Sequence, residues 1–165
     1  MRKITNEELN RPSAGEFAAM EKMPVAVVLD NVRSLQNVGA FFRTGDAFAV
    51  ERIALCGITA TPPNRDIHKT ALGAELTVPW TYFADTADAV AALRADGYRI
   101  LCVEQAEGSV SLERWAPESG IRYALCTLMA VSMTSSSATS STYVRIRPSP
   151  SWSAPPNRIS APSAA

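Results

Sequence analysis

Runs of β-forming residues alternate with helical segments across residues 24–126, and this alternation restricts the fold more than any other feature of the chain. The run PVAVVLD, residues 24–30, is apolar until its last residue, as expected for a strand buried on both faces of a parallel sheet. Further strands are predicted at residues 52–58, 76–80, 99–104 and 122–126, with helices at 37–50 and 86–98 and a short helical turn from residue 66. The pattern predicts one α/β domain with a mostly parallel sheet flanked by helices.

Composition limits the partners that such a domain can have. The 165 residues contain 16 Lys and Arg against 16 Asp and Glu, so any RNA-binding surface must be a local patch. Three distant cysteines and one histidine match no metal site and no disulfide framework, which favours a reducing cytoplasm. The N-terminus lacks the apolar core of a signal peptide, and the apolar run at residues 124–133 is far too short to span a membrane. We therefore expect a cytoplasmic protein without a metal or membrane partner.

The chain divides into three parts by composition. Residues 1–23 are predicted to form a polar, helical N-terminal segment that precedes the domain. Within it, Thr5 and Glu8 have the spacing of a capping box. Residues 24–126 form the predicted α/β domain. Residues 127–165 contain no aspartate, glutamate or glycine and are rich in serine and proline. This last part predicts a disordered, weakly basic, low-complexity tail.

The segment SLQNVGAFFRT, residues 34–44, contains the two strongest candidate site residues. Asn37 is predicted to cap the helix at residues 37–50. The free backbone N–H groups at that end of the helix would favour an anion. The predicted apolar face of that helix consists of Val38, Phe41, Phe42, Gly45, Phe48 and Ala49. Arg43 lies roughly 140° from Val38 around the helix and therefore points away from the core. The alternative interpretation is a capping asparagine and a solvated arginine, paired with Asp46.

Three blocks of sequence favour a functional interpretation. The first, LDNVRSLQNVGAFFRTGDAFAVERIALCG, resembles the first motif of the SpoU or TrmH-type RNA methyltransferases of the SPOUT superfamily, and Asn37, Gly39, Arg43 and Thr44 match its Asn-x-Gly-x-x-x-Arg-Thr pattern. Residues 57–75 and 103–112 resemble two further blocks of the same family, in the same order. The resemblance implies a parallel α/β sheet with a C-terminal trefoil knot, a homodimer, and methyl transfer from S-adenosylmethionine to a ribose 2′-hydroxyl of tRNA or rRNA.

The resemblance also implies roles for individual residues. Arg43 matches the family residue that would orient the ribose hydroxyl and an adjacent phosphate, and Asn37 would hold Arg43 or the RNA backbone. Arg65, His68 and Lys69, on a predicted loop, form either a phosphate-binding patch for RNA or an ordinary polar surface. Glu104 matches the end of a strand that borders the cofactor, although a surface carboxylate at a strand end is an equal alternative.

The resemblance ends near Cys126. The family pattern would continue with a Gly-Asn-Glu-x-x-Gly segment and two more segments that form the knot and hold the cofactor, whereas Gly120 is the last glycine of this chain. We hypothesise that a reading-frame shift near Cys126 replaced the knot region, in which case an alternative frame of the gene must encode a Gly-Asn-Glu-like segment. We expect this chain to bind S-adenosylmethionine very weakly or not at all, because the turns that contain these glycines are missing. The alternative function is a catalytically inactive RNA-binding or dimerisation module derived from such an enzyme.

Overall fold

A single parallel sheet forms the centre of the protein. A computed structural model describes residues 2, 5, 8, 12–104, 108–127 and 142–145. Its strands are Met23–Asp30 (β1), Val50–Cys56 (β2), Trp80–Phe83 (β3), Tyr98–Val103 (β4), Val110–Ser111 (β5), Arg122–Thr127 (β6) and Thr142–Arg145 (β7). They are arranged in the order β3-β2-β1-β6-β4-β7-β5, and every pair of neighbours runs parallel. The predicted α/β fold with a mostly parallel sheet is confirmed.

Helices cover both faces of this sheet. They are Ala14–Ala19 (α1), Leu35–Ala47 (α2), Arg65–Ala71 (α3) and Thr86–Ala95 (α4), with 3-10 turns at Ala74–Leu76 and Leu112–Arg114. In β1, Val28 belongs to the apolar cluster under α4, whereas Leu29 belongs to the cluster under α2 and α3. Both side chains are completely buried, which explains why this strand is apolar at successive positions. None of the helices in the described parts of the chain combines the length and apolar character needed to cross a membrane.

The first long helix begins three residues earlier than predicted. Ser34, not Asn37, is its N-cap, and the Ser34 hydroxyl accepts a hydrogen bond from the Asn37 backbone N–H at 3.2 Å. The predicted cap at Asn37 is wrong because a serine hydroxyl three residues upstream takes that role. The helix also ends at Ala47 instead of near residue 50, since Val50 already pairs in β2. Phe48, predicted on the buried face, lies beyond the last helical residue and is 60% exposed.

The segment after β2 differs from the predicted loop and strand. Arg65, His68 and Lys69 lie on α3, whose N-cap Asn64 accepts hydrogen bonds from the backbone of Asp66 and Ile67. The helical turn predicted from residue 66 begins one residue earlier, at Arg65, because the Asn64 amide satisfies the first N–H groups of the helix, so the loop predicted for these basic side chains is wrong. The strand predicted at residues 76–80 begins only at Trp80, since Leu76 belongs to a 3-10 turn and Pro79 has no N–H for strand pairing.

The two terminal parts contain ordered elements. Ser13 and Glu16 form a complete capping box at the start of α1, whereas at the predicted box only the Thr5 N–H bond to the Glu8 carboxylate, at 2.9 Å, is found. In the predicted tail, residues 142–145 form β7 beside β4. Their β-forming sequence TYVR supports a short strand, which overrides the polar composition around it. The remaining predictions for the tail fall on residues 128–141 and 146–165, outside the described residues.

Candidate functional site

Close packing of α2 against α3 defines the candidate site. A Cβ atom at Gly39 would lie 2.0 Å from the Thr70 hydroxyl and 2.4 Å from the Ile67 carbonyl oxygen. Only glycine permits this approach without a shift of one helix, because real Cβ contacts are never so short. The glycine of the motif therefore has a structural reason, because it lets α3 pack closely against α2.

Arg43 lies above the junction of these two helices. Gly39, one turn earlier, touches α3, and Asp46, one turn later, accepts a hydrogen bond from the Thr77 hydroxyl at 2.6 Å. Arg43 is exposed, as helical geometry predicted, and within the described parts of the chain it forms neither a hydrogen bond nor an ion pair. The alternative pairing of Arg43 with Asp46 is not found, since Thr77 occupies that carboxylate. The Arg43 guanidinium is accordingly available to an external anion or hydroxyl group.

Asn37 faces a different direction from Arg43. The two residues are six positions apart, which places them about 120° apart around an ideal helix. Asn37 is exposed and borders a hollow of about 260 Å³ that Ala40, Phe41 and Thr44 also line. The structure therefore does not bring Asn37 and Arg43 together in one pocket, and each would contact a separate part of a large ligand.

A buried polar network at the carboxyl ends of β1 and β2 was missed by the sequence analysis. Asp30 is 1% exposed, and its carboxylate accepts hydrogen bonds from the Thr86 hydroxyl and from the Asn31 amide. The Asn31 amide oxygen in turn accepts from the Ile58 N–H at 3.1 Å. These bonds connect the start of α4 with the loops that lead to α2 and α3, so they hold the site in place. The sequence signal for this network is Asp30, the charged residue that ends the otherwise apolar run of β1.

The basic residues of α3 share an exposed face, but acidic neighbours offset most of their charge. Lys69 donates to Asp66 at 2.6 Å, and the His68 ring contacts the carboxylate of Glu75. Arg65 is exposed and has no acidic partner within the described residues. Of the three predicted RNA-binding side chains, Arg65 is therefore the one best suited to bind a phosphate.

A hollow of about 570 Å³ lies beside this face of α3, between the helix and the edge strand β3. Its walls include Pro62, Pro63, Leu76 and Trp80, and its polar groups include Arg65, His68 and Glu75. Glu75 is 8% exposed, and its Oε2 atom has no hydrogen-bond partner among the described residues. Burial acts to raise the pKa of Glu75, but the contact with His68 and the nearby backbone N–H groups outweigh burial and hold the pKa below its ordinary value of 4.5.

A second group of unsatisfied polar atoms follows β4. Glu104 is half-buried directly after this strand and interacts with another part of the chain. Ser109 and Ser111 are buried, and their hydroxyls have no hydrogen-bond partner among the described residues. Buried hydroxyls without partners are rare in folded proteins because they lose their hydrogen bonds to water.

Curated relatives share part of this sequence. The 23S rRNA (guanosine-2′-O-)-methyltransferases RlmB of Vibrio cholerae serotype O1 and of Vibrio parahaemolyticus serotype O3:K6 are each 30% identical to it, over 90 and 91 residues. These alignments cover 54% and 55% of this chain but only 36% and 37% of the relatives. The chain thus matches little more than a third of the length of either relative.

Solved structures share the fold. An rRNA methyltransferase from Sinorhizobium meliloti has a TM-score of 0.65 at 24% identity, covering 81% of this chain and 52% of that one. The A. aeolicus TrmH/SpoU tRNA modifying enzyme also has a TM-score of 0.65, at 15% identity, covering 81% of this chain and 68% of its own. The model of the SpoU rRNA Methylase family matches residues 24–126. Since this match includes most of β1, both helices of the candidate site, β4 and most of β6, the chain belongs to the SpoU rRNA methylase family.

Proposed function

We propose that this chain transfers a methyl group from S-adenosylmethionine to a ribose 2′-hydroxyl of RNA. The observation that carries the proposal is the family match over residues 24–126, within which Arg43 stands exposed above the α2 and α3 junction. The curated relatives are named as enzymes that modify guanosine of 23S rRNA at the 2′-oxygen. Ribosomal RNA is therefore our preferred substrate, with tRNA as the alternative.

Arg43 is the proposed catalytic residue. A ribose hydroxyl is a poor nucleophile, so the site must hold it in line with the methyl group and stabilise the negative charge that develops on its oxygen. The guanidinium stays protonated at any normal pH and presents a planar set of donors, which suits the hydroxyl together with a neighbouring phosphate. Arg43 would therefore orient the hydroxyl instead of removing its proton.

The other basic and amide side chains would position the RNA. Asn37 lies in the first turn of α2, where its amide and the free N–H groups favour the RNA backbone. Arg65 would bind a phosphate beside α3, while His68 and Lys69 contribute less because Glu75 and Asp66 offset their charge. These contacts fix the register of the RNA without reading its sequence.

Residues after β4 suit the methyl donor. The hydroxyls of Ser109 and Ser111, which have no hydrogen-bond partner among the described residues, would together with Glu104 bind the hydroxyl and amino groups of S-adenosylmethionine. When bound, the donor supplies an electrophilic methyl group. No glycine follows Gly120, so the segments that complete such a site elsewhere in the family have no counterpart in sequence here. This supports the weak affinity predicted above and keeps the inactive RNA-binding module as the second candidate function.

A labelling assay with the full chain tests the proposal. Unmodified 23S rRNA transcript is incubated with the chain and a saturating concentration of radiolabelled S-adenosylmethionine, and the digested nucleosides are analysed by mass spectrometry. We expect label on a 2′-O-methylated nucleoside. RNA binding without label would support the second candidate function, and calorimetry would then show no heat of S-adenosylmethionine binding.

The family resemblance also supports a homodimer in the cytoplasm. Leu72 and Leu76 lie 65% and 80% exposed beside α3 and offer apolar area to a second copy. Sedimentation velocity over a range of concentrations tests this assembly, and a monomer at all concentrations would contradict it.

A further inference from the structure

Glu75 stands out among the acidic residues because its carboxylate is buried and only half satisfied. It belongs to the 3-10 turn at Ala74–Leu76, and its first oxygen contacts the His68 ring. The second oxygen, Oε2, is shielded from solvent and has no donor within the described residues. An ionised oxygen without a donor is unfavourable in the folded protein, so a ligand that brings an N–H group would stabilise it.

The walls of the hollow above Glu75 suit a flat ring. Trp80 is half-buried at the start of β3, and Pro62 and Pro63, on the loop before α3, also line the hollow. The volume, about 570 Å³, is within the range of small-ligand sites. Proteins that read single-stranded RNA stack unpaired bases on aromatic side chains and bind the base edges by hydrogen bonds. An aromatic side chain beside an unsatisfied polar group matches this mode of recognition.

The charges of the hollow argue against a phosphate as the occupant. A phosphate inside it would face the Glu75 carboxylate, and like charges at short distance repel strongly. His68 contacts Glu75 and therefore offers little net positive charge to an anion. Arg65 lies at the same hollow and has no acidic partner in the described part of the chain. The arrangement suits a base inside the hollow and its phosphate on Arg65.

Guanine is the base whose edge fits this carboxylate. Its N1–H and N2–H₂ groups are adjacent donors, and the two carboxylate oxygens are adjacent acceptors with spare lone pairs, even while His68 binds one of them. Adenine and cytosine present one amino donor beside an acceptor nitrogen, and uracil presents one N–H between two carbonyls. The terminal torsion of a glutamate side chain is soft, so Oε2 can turn towards the hollow.

We propose that the hollow between α3 and β3 receives an unpaired guanine of the RNA, with Glu75 accepting its N1–H and N2–H₂ groups and Trp80 stacking on its ring. This inference rests on the proposed RNA substrate. It makes Glu75 a specificity-determining residue. Base recognition then takes place at this hollow, whereas methyl transfer takes place at Arg43.

Binding of short RNAs to the full chain tests the proposal without any methyl donor. Four fluorescently labelled pentaribonucleotides, UUGUU, UUIUU with inosine, UUAUU and UUUUU, are titrated by anisotropy. We expect UUGUU to bind about tenfold more tightly than the other three, because inosine lacks the N2 amino group and the others lack the donor pair. Equal affinities for the four would overturn the proposal.

Variants locate the effect in the hollow. Glu75→Gln should remove the preference for UUGUU over UUIUU, whereas Glu113→Gln, the same charge change next to β5 at the opposite edge of the sheet, should keep it. UUGUU should also quench tryptophan fluorescence in the wild type but not in Trp80→Phe. An undiminished preference in a folded Glu75→Gln chain, or quenching that survives in Trp80→Phe, would overturn the proposal.

Two further outcomes are informative. If Glu75→Gln fails to fold, the affinities of the four RNAs for the wild-type chain still decide whether the chain prefers guanine. Quenching by an arginine-bearing peptide, with no preference among the RNAs, would make the hollow a protein-docking site and overturn the proposal. Because no step of the assay needs S-adenosylmethionine, a chain that reads guanine but transfers no methyl group would contradict only the proposed catalysis.

Discussion

At the scale of single residues, burial decides how the three cysteines react. Cys56, Cys102 and Cys126 lie on β2, β4 and β6, are fully buried, and form no disulfide. Burial raises the pKa of Cys56 to about 11 and also raises the pKa of Cys126. A raised pKa means that less of the reactive thiolate is present at neutral pH than in an unfolded chain.

We therefore predict that the folded chain resists thiol reagents. At about pH 8, close to the ordinary pKa of cysteine, a colorimetric disulfide reagent should label the native protein slowly. Addition of guanidinium chloride should expose all three thiols. Rapid labelling of a thiol in the native chain would contradict the burial seen here.

Residue-scale predictions from sequence succeeded where only local geometry mattered. The outward direction of Arg43 follows from helical periodicity alone, and the structure confirms it. The cap at Asn37 failed because Ser34 competes for the same backbone N–H group. The contact between His68 and Glu75 depends on how the chain turns between α3 and the next 3-10 turn, so residue types and spacing did not reveal it.

At the scale of elements, the contact between α2 and α3 is the most specific packing feature of the site. Gly39→Ala would place a methyl group 2.4 Å from the Ile67 carbonyl oxygen, which belongs to the backbone and cannot move aside alone. We predict a loss of about 1–3 kcal/mol in the free energy of unfolding, measured by urea denaturation.

Gly15→Ala is the matched control for this variant. Gly15 also lies in a helix, and nothing lies within 4 Å of the position that its Cβ would occupy. The control should be neutral or stabilising by up to about 1 kcal/mol, because alanine is the better helix former. Equal effects of the two substitutions would show that the close contact at Gly39 does not limit stability.

Elements were easier to predict than their boundaries. β1 was predicted to within one residue from its continuous apolar run, because a strand that is buried on both faces is apolar at successive positions. The start of the short helix α3 was predicted to within one residue, whereas the four-residue strand β3 was misplaced, since it contains too few residues to show a period. β7 was missed because four β-forming residues stand in a polar, proline-rich context, and its pairing with β4 is a long-range contact.

At the scale of the whole molecule, a buried scaffold in the described part supports the helices that carry the candidate site residues. The network around Asp30 fixes the loops after β1 and β2, and these loops lead to the two helices that carry Arg43 and Arg65. The sheet order and its seventh strand were not predictable from the sequence, because pairing between distant strands leaves no local pattern. The family motif located Arg43 and Asn37, but not the hollow beside Glu75.

The central claim is that Arg43 orients the ribose hydroxyl in methyl transfer to RNA. Its most direct test compares single-turnover transfer rates and unfolding midpoints of the wild-type chain, Arg43→Ala, Arg43→Lys and the exposed control Arg114→Ala, at saturating S-adenosylmethionine. We predict that Arg43→Ala slows transfer about a hundredfold or more with a nearly unchanged midpoint, since removal of one preorganised donor has an effect of that size. Arg43→Lys should be almost as slow, because a point charge cannot replace the planar guanidinium. Transfer at the wild-type rate in Arg43→Ala would contradict the claim and leave Arg43 as a solvated helix residue.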